Sequence, residues 1–289
     1  MVVGRPTNGS EEWLLRRVYF EKIAIAGTVF MYFKIHRKPT ALKRLLSALL
    51  VISLVTGCRK DTVNTVPSSG PNSAVDKQAT GSSARDLLTS TKYPILNIDI
   101  QYAPGMKPQD QSVTNLVNFL NTYLNKPGGI NVTQTQVPSL GAATVSLDNI
   151  VSYENKNRIV YTSGNSIAVW ILFADADYST ANVGGISFWN TSMTIFEKTI
   201  QARTGGIGQA SRVKVESGTL LHEMSHLLGL VNLGTPMVKP HEDPSHTSHC
   251  SNTSCLMYYA TQTSGLMNTN ALPALDADCV NDLRANGGK

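Results

Sequence analysis

Outside its first 57 residues, the sequence lacks an excess of charge of either sign. The whole chain of 289 residues has 25 Lys and Arg against 20 Asp and Glu, a formal net charge of +5. Nine of the basic and three of the acidic residues lie in positions 1–57, so positions 58–289 carry 16 basic and 17 acidic side chains. A nearly neutral domain does not attract nucleic acid electrostatically, and a nucleic-acid-binding function is therefore not expected.

The sequence also lacks an apolar run long enough to cross a bilayer. Its most apolar stretch, residues 45–55, has eleven residues, whereas a transmembrane helix needs about 20. The run follows a cationic segment at 34–44 and has the proportions of the hydrophobic region of a signal peptide. Residues 1–30 do not belong to this pattern. We therefore expect translation to start at Met31 and the signal to occupy 31–57.

The end of this region, Val55-Thr56-Gly57-Cys58, resembles the lipobox of bacterial lipoproteins, in which the cysteine becomes the lipidated first residue of the mature chain. The resemblance implies an exported protein that is attached to the bacterial outer membrane by a lipid anchor at Cys58 and faces the periplasm or the cell surface. Residues 58–85 are rich in Ser, Thr, Asn, Gly and Pro and have no periodicity. They are predicted to form a flexible tether.

The remaining residues, 86–289, alternate between strand and helix patterns without a visible internal repeat. The segment 166–173, SIAVWILF, is almost entirely apolar, as expected for a central strand covered on both faces. Apolar periodicity and turn residues predict the other elements: strands at 95–102, 130–137, 186–189 and 193–196, and helices at 113–124, 147–154 and around 222. This order predicts an α+β fold, in which helices pack on a twisted mixed sheet.

Five of the six histidines lie between positions 222 and 249, and the first two belong to the run LHEMSHLLG at 221–229. Residues four apart share one face of a helix, so His222 and His226 present two imidazoles to one ion. Catalytic zinc takes three protein ligands and one water, and Glu223 is placed to accept a proton from that zinc-bound water. The run therefore predicts zinc hydrolase chemistry, with a third ligand further along the chain.

The candidates for the third ligand are His249, His246, His241 and Asp243. The motif HExxH followed by Gly229 is similar to that of the metzincin metallopeptidases, in which the pattern continues HExxHxxGxxH. Asn232 stands where that family has its third histidine. The stretch HC-x4-C-x-M at 249–257 resembles the archaemetzincin branch. This resemblance implies an insertion after Gly229 that moves the third ligand to His249.

The same resemblance implies a metzincin-like fold whose active-site helix is followed by a C-terminal Met-turn subdomain. In that subdomain, Met257 would lie beneath the metal and Tyr259 would stabilise the oxyanion. The archaemetzincin pattern ends with a downstream CxxC, of which only Cys279 is present. Cys250 and Cys255 therefore have two candidate roles. They can form a disulfide that closes a tight loop, or a second, structural zinc site with Cys279 and one histidine of the insertion.

A calcium site is a further candidate, with Asp175 and Asp177 in the loop after the central strand. The main prediction is a monomeric, lipid-anchored, zinc-dependent endopeptidase, which binds an extended peptide along an edge strand within 184–194. The alternative is a non-catalytic surface binding or adhesion lipoprotein with a zinc-stabilised fold. A purely structural metal site does not need a carboxylate at position 223, and Glu223 therefore favours the enzyme.

Overall fold

A five-stranded sheet is the framework of the computed structural model, which describes residues 73–262 and 271–289. The strands in chain order are β1 (Ile95–Tyr102), β2 (Ile130–Gln136), β3 (Thr144–Val145), β4 (Ser166–Phe173), β5 (Asp177–Tyr178), β6 (Gly185–Trp189), β7 (Ser192–Ile195), β8 (Glu242–Asp243) and β9 (His246–Cys250). The large sheet has the order β2-β1-β4-β7-β6. Its strands are parallel except β6, which runs antiparallel to β7 at the edge. The predicted mixed sheet with a central strand at 166–173 is confirmed.

Helices cover both faces of this sheet. They are α1 (Ser73–Asp76), α2 (Ala84–Leu88), α3 (Asp110–Tyr123), α4 (Leu147–Asn157), α5 (Glu197–Ala202), α6 (Arg212–Leu227) and α7 (Ala277–Ala285), with a 3-10 turn at Tyr259–Gln262. The chain therefore has the predicted α+β architecture, and the helix that carries the HExxH run is α6.

Strand β4 supplies side chains to two separate apolar cores, one on each face. On one face, four of its residues pack in the cluster that also contains the apolar residues of α3 and α6: Ile167, Val169, Ile171 and Phe173. On the other face, Trp170 and Leu172 pack with Ile150 of α4 and with Phe196. Both faces are removed from water, and this burial explains why the strand sequence is continuously apolar rather than alternating.

The structure corrects the prediction of a flexible tether at 58–85, because the last part of that segment is packed into the domain. Asp76 is fully buried. Its carboxylate accepts a hydrogen bond from Thr162 N at 2.9 Å and lies 3.5 Å from the Arg158 guanidinium. A polar composition is typical of tethers, but here the polar side chain has buried partners that are distant in the sequence. The folded domain therefore includes Asp76.

The predicted signal region at 1–57, the predicted lipidation site Cys58 and the predicted tether as far as residue 72 lie outside the described residues. Within the part of the chain that the structure describes, no helix combines the length and the apolar character needed to span a bilayer.

Candidate metal centres

Helix α6 begins and ends with local signals that its sequence provides. Before its first turn, the Ser211 hydroxyl accepts a hydrogen bond from Lys214 N at 3.3 Å, which satisfies a free backbone donor. After its last turn, Gly229 has a φ of 82°, and a Cβ at this position would lie 2.5 Å from Thr235 N. Glycine therefore meets both the left-handed conformation and the close approach that reverse the chain after the helix.

His222 and His226 lie one helical turn apart, with their Nε2 atoms 3.2 Å from each other. The Nδ1 of His222 donates to Leu256 O at 2.8 Å, and the Nδ1 of His226 donates to Leu230 O at 3.1 Å. Carbonyl acceptors at both Nδ1 atoms fix the tautomer in which Nε2 carries the free lone pair. The pair is thus prepared to bind a cation through Nε2.

His249 joins this pair from strand β9. Its ring centroid is 5.2 Å from that of His222 and 5.1 Å from that of His226, and its Nδ1 donates to Thr247 O at 2.9 Å. Each of the three imidazoles offers a ring nitrogen within 4.8 Å of the others. Asn232, where the metzincin pattern has its third histidine, instead donates to Glu242 at 3.4 Å. The β8–β9 hairpin of the inserted segment therefore brings His249 into the cluster.

Burial keeps the three imidazoles neutral. It lowers the pKa of His222 to about 4, lowers the pKa of His226 well below its usual range, and lowers the pKa of His249 in the same direction. Neutral imidazoles with free lone pairs are the ligands that zinc takes at catalytic sites. The donor set therefore fits a zinc ion.

Two of the other candidate ligands are paired with each other. The Nδ1 of His246 lies 2.8 Å from the Asp243 carboxylate, and this hydrogen bond holds the pKa of Asp243 below its usual range. The His246 ring also stacks on Tyr259, with centroids 3.5 Å apart and ring planes within 5°. The structure therefore does not bring His246 and Asp243 into the three-histidine cluster.

Glu223 is 2% exposed and points to the same region as the histidines. Its Oε2 accepts a hydrogen bond from the Ser187 hydroxyl of strand β6 at 2.8 Å. The carboxylate and two of the histidines, His226 and His249, line a cleft of about 460 Å³, one wall of which is formed by residues of β6. A buried carboxylate, imidazole nitrogens and an edge strand thus meet in one cleft.

Met257 and Tyr259 occupy different environments after strand β9. Met257 is fully buried, and its carbonyl accepts a hydrogen bond from Cys250 N at 2.8 Å. Tyr259 is 40% exposed and lines the cleft. The tyrosine is therefore accessible to a molecule in the cleft, whereas the methionine belongs to the apolar core.

A second cluster of potential metal ligands includes Cys250, the residue that directly follows His249 of the first. His241, Cys250, Asp276 and Cys279 each offer a ligand atom within 4.8 Å of the others. Cys255 adjoins them, with its Sγ 3.6 Å from that of Cys279. His241, the remaining candidate for the third ligand of the first site, therefore belongs to this second cluster.

The environment of this second cluster favours the thiolate form at Cys255. The backbone N–H groups of Asn252 and Met257 point to the sulfurs of Cys250 and Cys255 at 3.5 and 3.4 Å. The hydrogen bond from Cys279 lowers the pKa of the Cys255 thiol to about 7, whereas burial raises the pKa of Cys250 to about 12 and the hydrogen bond to Cys255 raises the pKa of Cys279. Hydrogen-bond donors stabilise negative charge on sulfur, and burial opposes it. None of the three cysteines at 250, 255 and 279 is in a disulfide, so the predicted alternative of a Cys250–Cys255 disulfide is not formed.

One ring nitrogen of His241 faces the cysteine cluster, and the other is hydrogen-bonded to a carboxylate that orients the ring. Its Nδ1 faces Cys250 Sγ at 3.4 Å, and its Nε2 donates to the fully buried carboxylate of Asp282 at 2.7 Å. Carboxylates commonly orient metal-binding imidazoles in this way. Thiols with an imidazole form a donor set that fits zinc.

The proposed calcium ligands do not converge. Asp175 accepts a hydrogen bond from Leu140 N at 3.1 Å, whereas the Asp177 carboxylate lies 2.9 Å from the Lys198 ammonium and also binds Thr199. Each carboxylate is satisfied by a different protein group, so the arrangement does not support the calcium hypothesis.

Sequence reasoning missed three side chains that support these centres: Ser187, Asp276 and Asp282. Asp276 had a usable signal, because Asp276-x-x-Cys279 has the spacing of the CxxC that the resemblance leads one to expect. No sequence signal indicated Ser187 or Asp282, since each depends on a contact with a distant element.

The fold and the site together define an α+β protein with a mixed sheet. Its three-histidine site and a buried carboxylate lie beside an edge strand. No family model matches the sequence, and no curated protein matches it. Among solved structures, archaemetzincin from Methanopyrus kandleri superposes over 67% of this chain and 96% of its own, with 13% identity and a TM-score of 0.44. Metalloproteinase-II from Bacteroides fragilis superposes over 69% of this chain and 55% of its own, with 19% identity and a TM-score of 0.37. Both similarities are distant, and the function proposed next rests on the site of this chain.

Proposed function

We propose that this chain is a zinc-dependent endopeptidase. The observation that carries the proposal is the convergence of His222, His226 and His249 beside Glu223 in an open cleft. His222, His226 and His249 would hold a zinc ion through three neutral imidazoles, which is the number of protein ligands that catalytic zinc sites use. Zinc bound there would supply a Lewis acid that polarises the scissile carbonyl and makes the attacking water more acidic.

Glu223 acts as the general base. Its carboxylate lines the same cleft as His226 and His249, where it can take a proton from the attacking water and deliver it to the leaving amine. A site that only stabilised the fold would not need a carboxylate facing the cleft. For this reason the alternative of a non-catalytic binding or adhesion lipoprotein is not favoured.

Strand β6 binds the substrate. It is the edge of the large sheet, and its residues Gly185, Ile186 and Ser187 line the cleft. An unpaired strand edge can take an extended peptide as an additional strand, which places the peptide backbone alongside the histidines. Tyr259, exposed on the cleft wall, stabilises the negative charge that develops on the carbonyl oxygen.

The second cluster holds a structural zinc ion. Cys250, Cys255, Cys279 and His241 form a four-ligand set of the kind found in closed structural sites, with Asp276 as a neighbouring acceptor. This site connects the chain after His249 to helix α7. It therefore stabilises the segment that carries the third ligand of the first site.

The proposal places this enzyme outside the cytoplasm. The cationic segment, the short apolar run and Cys58 support export and a lipid anchor, and the packed residues from Asp76 onward belong to the exported domain. A monomer is expected.

The test of the general base compares the purified chain with its Glu223→Ala variant on a peptide library. The variant is expected to retain zinc and to lose about 100-fold or more of the turnover. The Asp110→Ala variant, which removes an exposed carboxylate at the first residue of α3, serves as the control for loss of charge. If the Glu223→Ala variant cleaves peptides at the parental rate, Glu223 is not the base.

A further inference from the structure

Strand β6 lies directly against helix α6 at the position of Glu223. Residues two apart in a strand share a face, and here Gly185 and Ser187 contact the helix, while Ile186 and Phe188 pack against the second apolar core. The proposed substrate-binding strand and the proposed base are therefore in direct contact.

Gly185 leaves the space that this contact needs. A Cβ at this position would lie 2.8 Å from Glu223 Cγ and 2.9 Å from Thr219 Cγ2, closer than real Cβ atoms approach other heavy atoms. Any larger residue would push the Glu223 side chain away from the strand. The glycine is thus required by the close approach of strand and helix.

Ser187 binds Glu223 at two points. Its Oγ lies 2.8 Å from Glu223 Oε2 and also 2.8 Å from the main-chain oxygen of the same residue. The hydroxyl has one hydrogen and two acceptors at equal distance, and both acceptors belong to Glu223. Hydrogen bonds to ionised acceptors are the stronger and more directional class. The hydroxyl therefore restrains the carboxylate relative to the backbone that carries it.

We propose that Ser187 is a positioning residue for the general base: its hydroxyl holds the Glu223 carboxylate at the cleft, in the space that Gly185 provides. This inference rests on the proposed function, because it assigns the role of base to Glu223. Catalytic groups must be held close to their productive geometry by their neighbours, and Glu223 obtains this support from the edge strand.

The kinetic test uses Ser187→Ala and Ser187→Thr in the full chain. Loss of the hydroxyl is expected to lower kcat about tenfold and to change KM and zinc content much less, because the metal ligands and the main chain of β6, with which the substrate would pair, stay in place. Threonine keeps the hydroxyl and is expected to restore most of kcat. Gly185→Ala, which displaces the carboxylate without removing a donor, is expected to lower kcat as well. Ser179→Ala, at an exposed serine before β6, is the matched control.

A double-mutant cycle with Glu223→Ala separates this inference from the proposed function. In the zinc-free chain, Ser187→Ala should lower the unfolding midpoint more when Glu223 is present than when it has been replaced by alanine. This readout does not need turnover. A zinc-loaded parent that cleaves no peptide would contradict the proposed function. The double-mutant cycle would still test the contact between Ser187 and Glu223. Parental kcat in Ser187→Ala, or additive effects in the cycle, would overturn the role of Ser187.

Discussion

His222 and Leu256 connect the two candidate metal centres: the Nδ1 of His222 donates to the main-chain oxygen of Leu256 at 2.8 Å. Leu256 directly follows Cys255, whose sulfur adjoins the second cluster. His249 of the first centre directly precedes Cys250 of the second. Each centre therefore restrains residues on which the geometry of the other depends.

This connection predicts that damage to the cysteine cluster weakens the three-histidine site. Cys279→Ala is expected to lower the zinc affinity of that site by about 10- to 100-fold, the usual cost of losing groups that orient metal ligands. Zinc affinity is measured by competition with a chelator. Val280→Ala, at the next residue of α7 and outside the cluster, controls for general destabilisation of the helix. Equal affinities in parent and Cys279→Ala would show that the centres are independent.

A buried pair of carboxylates predicts a pH-dependent stability. Glu197 and Glu216 are fully buried and lie 2.6 and 3.4 Å from the single guanidinium of Arg212. Burial raises the pKa of Glu197 from 4.5 to about 8 and raises that of Glu216 as well. Between pH 4.5 and about 8, the folded state keeps a proton on this carboxylate pair that the unfolded state releases. The free energy of unfolding should therefore fall as pH rises through this window, by up to about 1.4 kcal/mol per pH unit.

Urea unfolding at several pH values across this window measures the effect. Glu197→Gln removes one of the two competing carboxylates, and its stability is expected to change much less with pH than that of the parent. If the free energy of unfolding falls equally with pH in the parent and in the variant, the proton is not held by this carboxylate pair.

The packed segment before α2 predicts a large cost for the loss of Asp76. Asp76→Ala would leave the Arg158 guanidinium buried with Glu154 as its remaining carboxylate partner, at 2.9 Å. Breaking a buried ion pair from one side costs about 3–5 kcal/mol, and the variant should unfold at a correspondingly lower denaturant concentration. Asp148→Ala, at an exposed position in the first turn of α4, is the control. A stability change below about 1 kcal/mol in Asp76→Ala would favour the original prediction of a flexible tether.

Tyr259 provides a separate test of the chemistry in the cleft. Tyr259→Phe keeps the ring that stacks on His246 and removes only the hydroxyl. If the hydroxyl stabilises the oxyanion, kcat should fall about 100-fold while KM changes little. Steady-state kinetics on one peptide substrate would decide this, and an unchanged kcat would assign Tyr259 a packing role.

The sequence predicted the structure best where the spacing of residues within one helix or strand determines which side chains share a face. The continuous apolar run of β4 predicted a strand with two covered faces, and the four-residue spacing of His222 and His226 predicted two imidazoles on one helical face. Both patterns are properties of single elements, so no knowledge of the rest of the fold was needed.

Other features could not be predicted because they depend on where distant segments meet. The burial of Asp76 follows from its contacts with Arg158 and Thr162, which no residue pattern read along the chain contains. Local spacing alone left four candidates for the third ligand, and only the family resemblance favoured His249, which the structure places beside the helix. For the same reason the role proposed for Ser187 emerged only from the packing of β6 on α6.

The most direct test of the proposed three-histidine zinc site is the zinc content and peptidase activity of three histidine variants, measured by elemental analysis and peptide cleavage on the same preparations. His249→Ala should lose the zinc of the first centre and all turnover. His246→Ala should keep full zinc, because its imidazole pairs with Asp243. His241→Ala should lose the zinc of the second cluster and bind the zinc of the first more weakly. A His249→Ala variant with parental zinc content and activity would contradict the assignment of His249 as the third ligand.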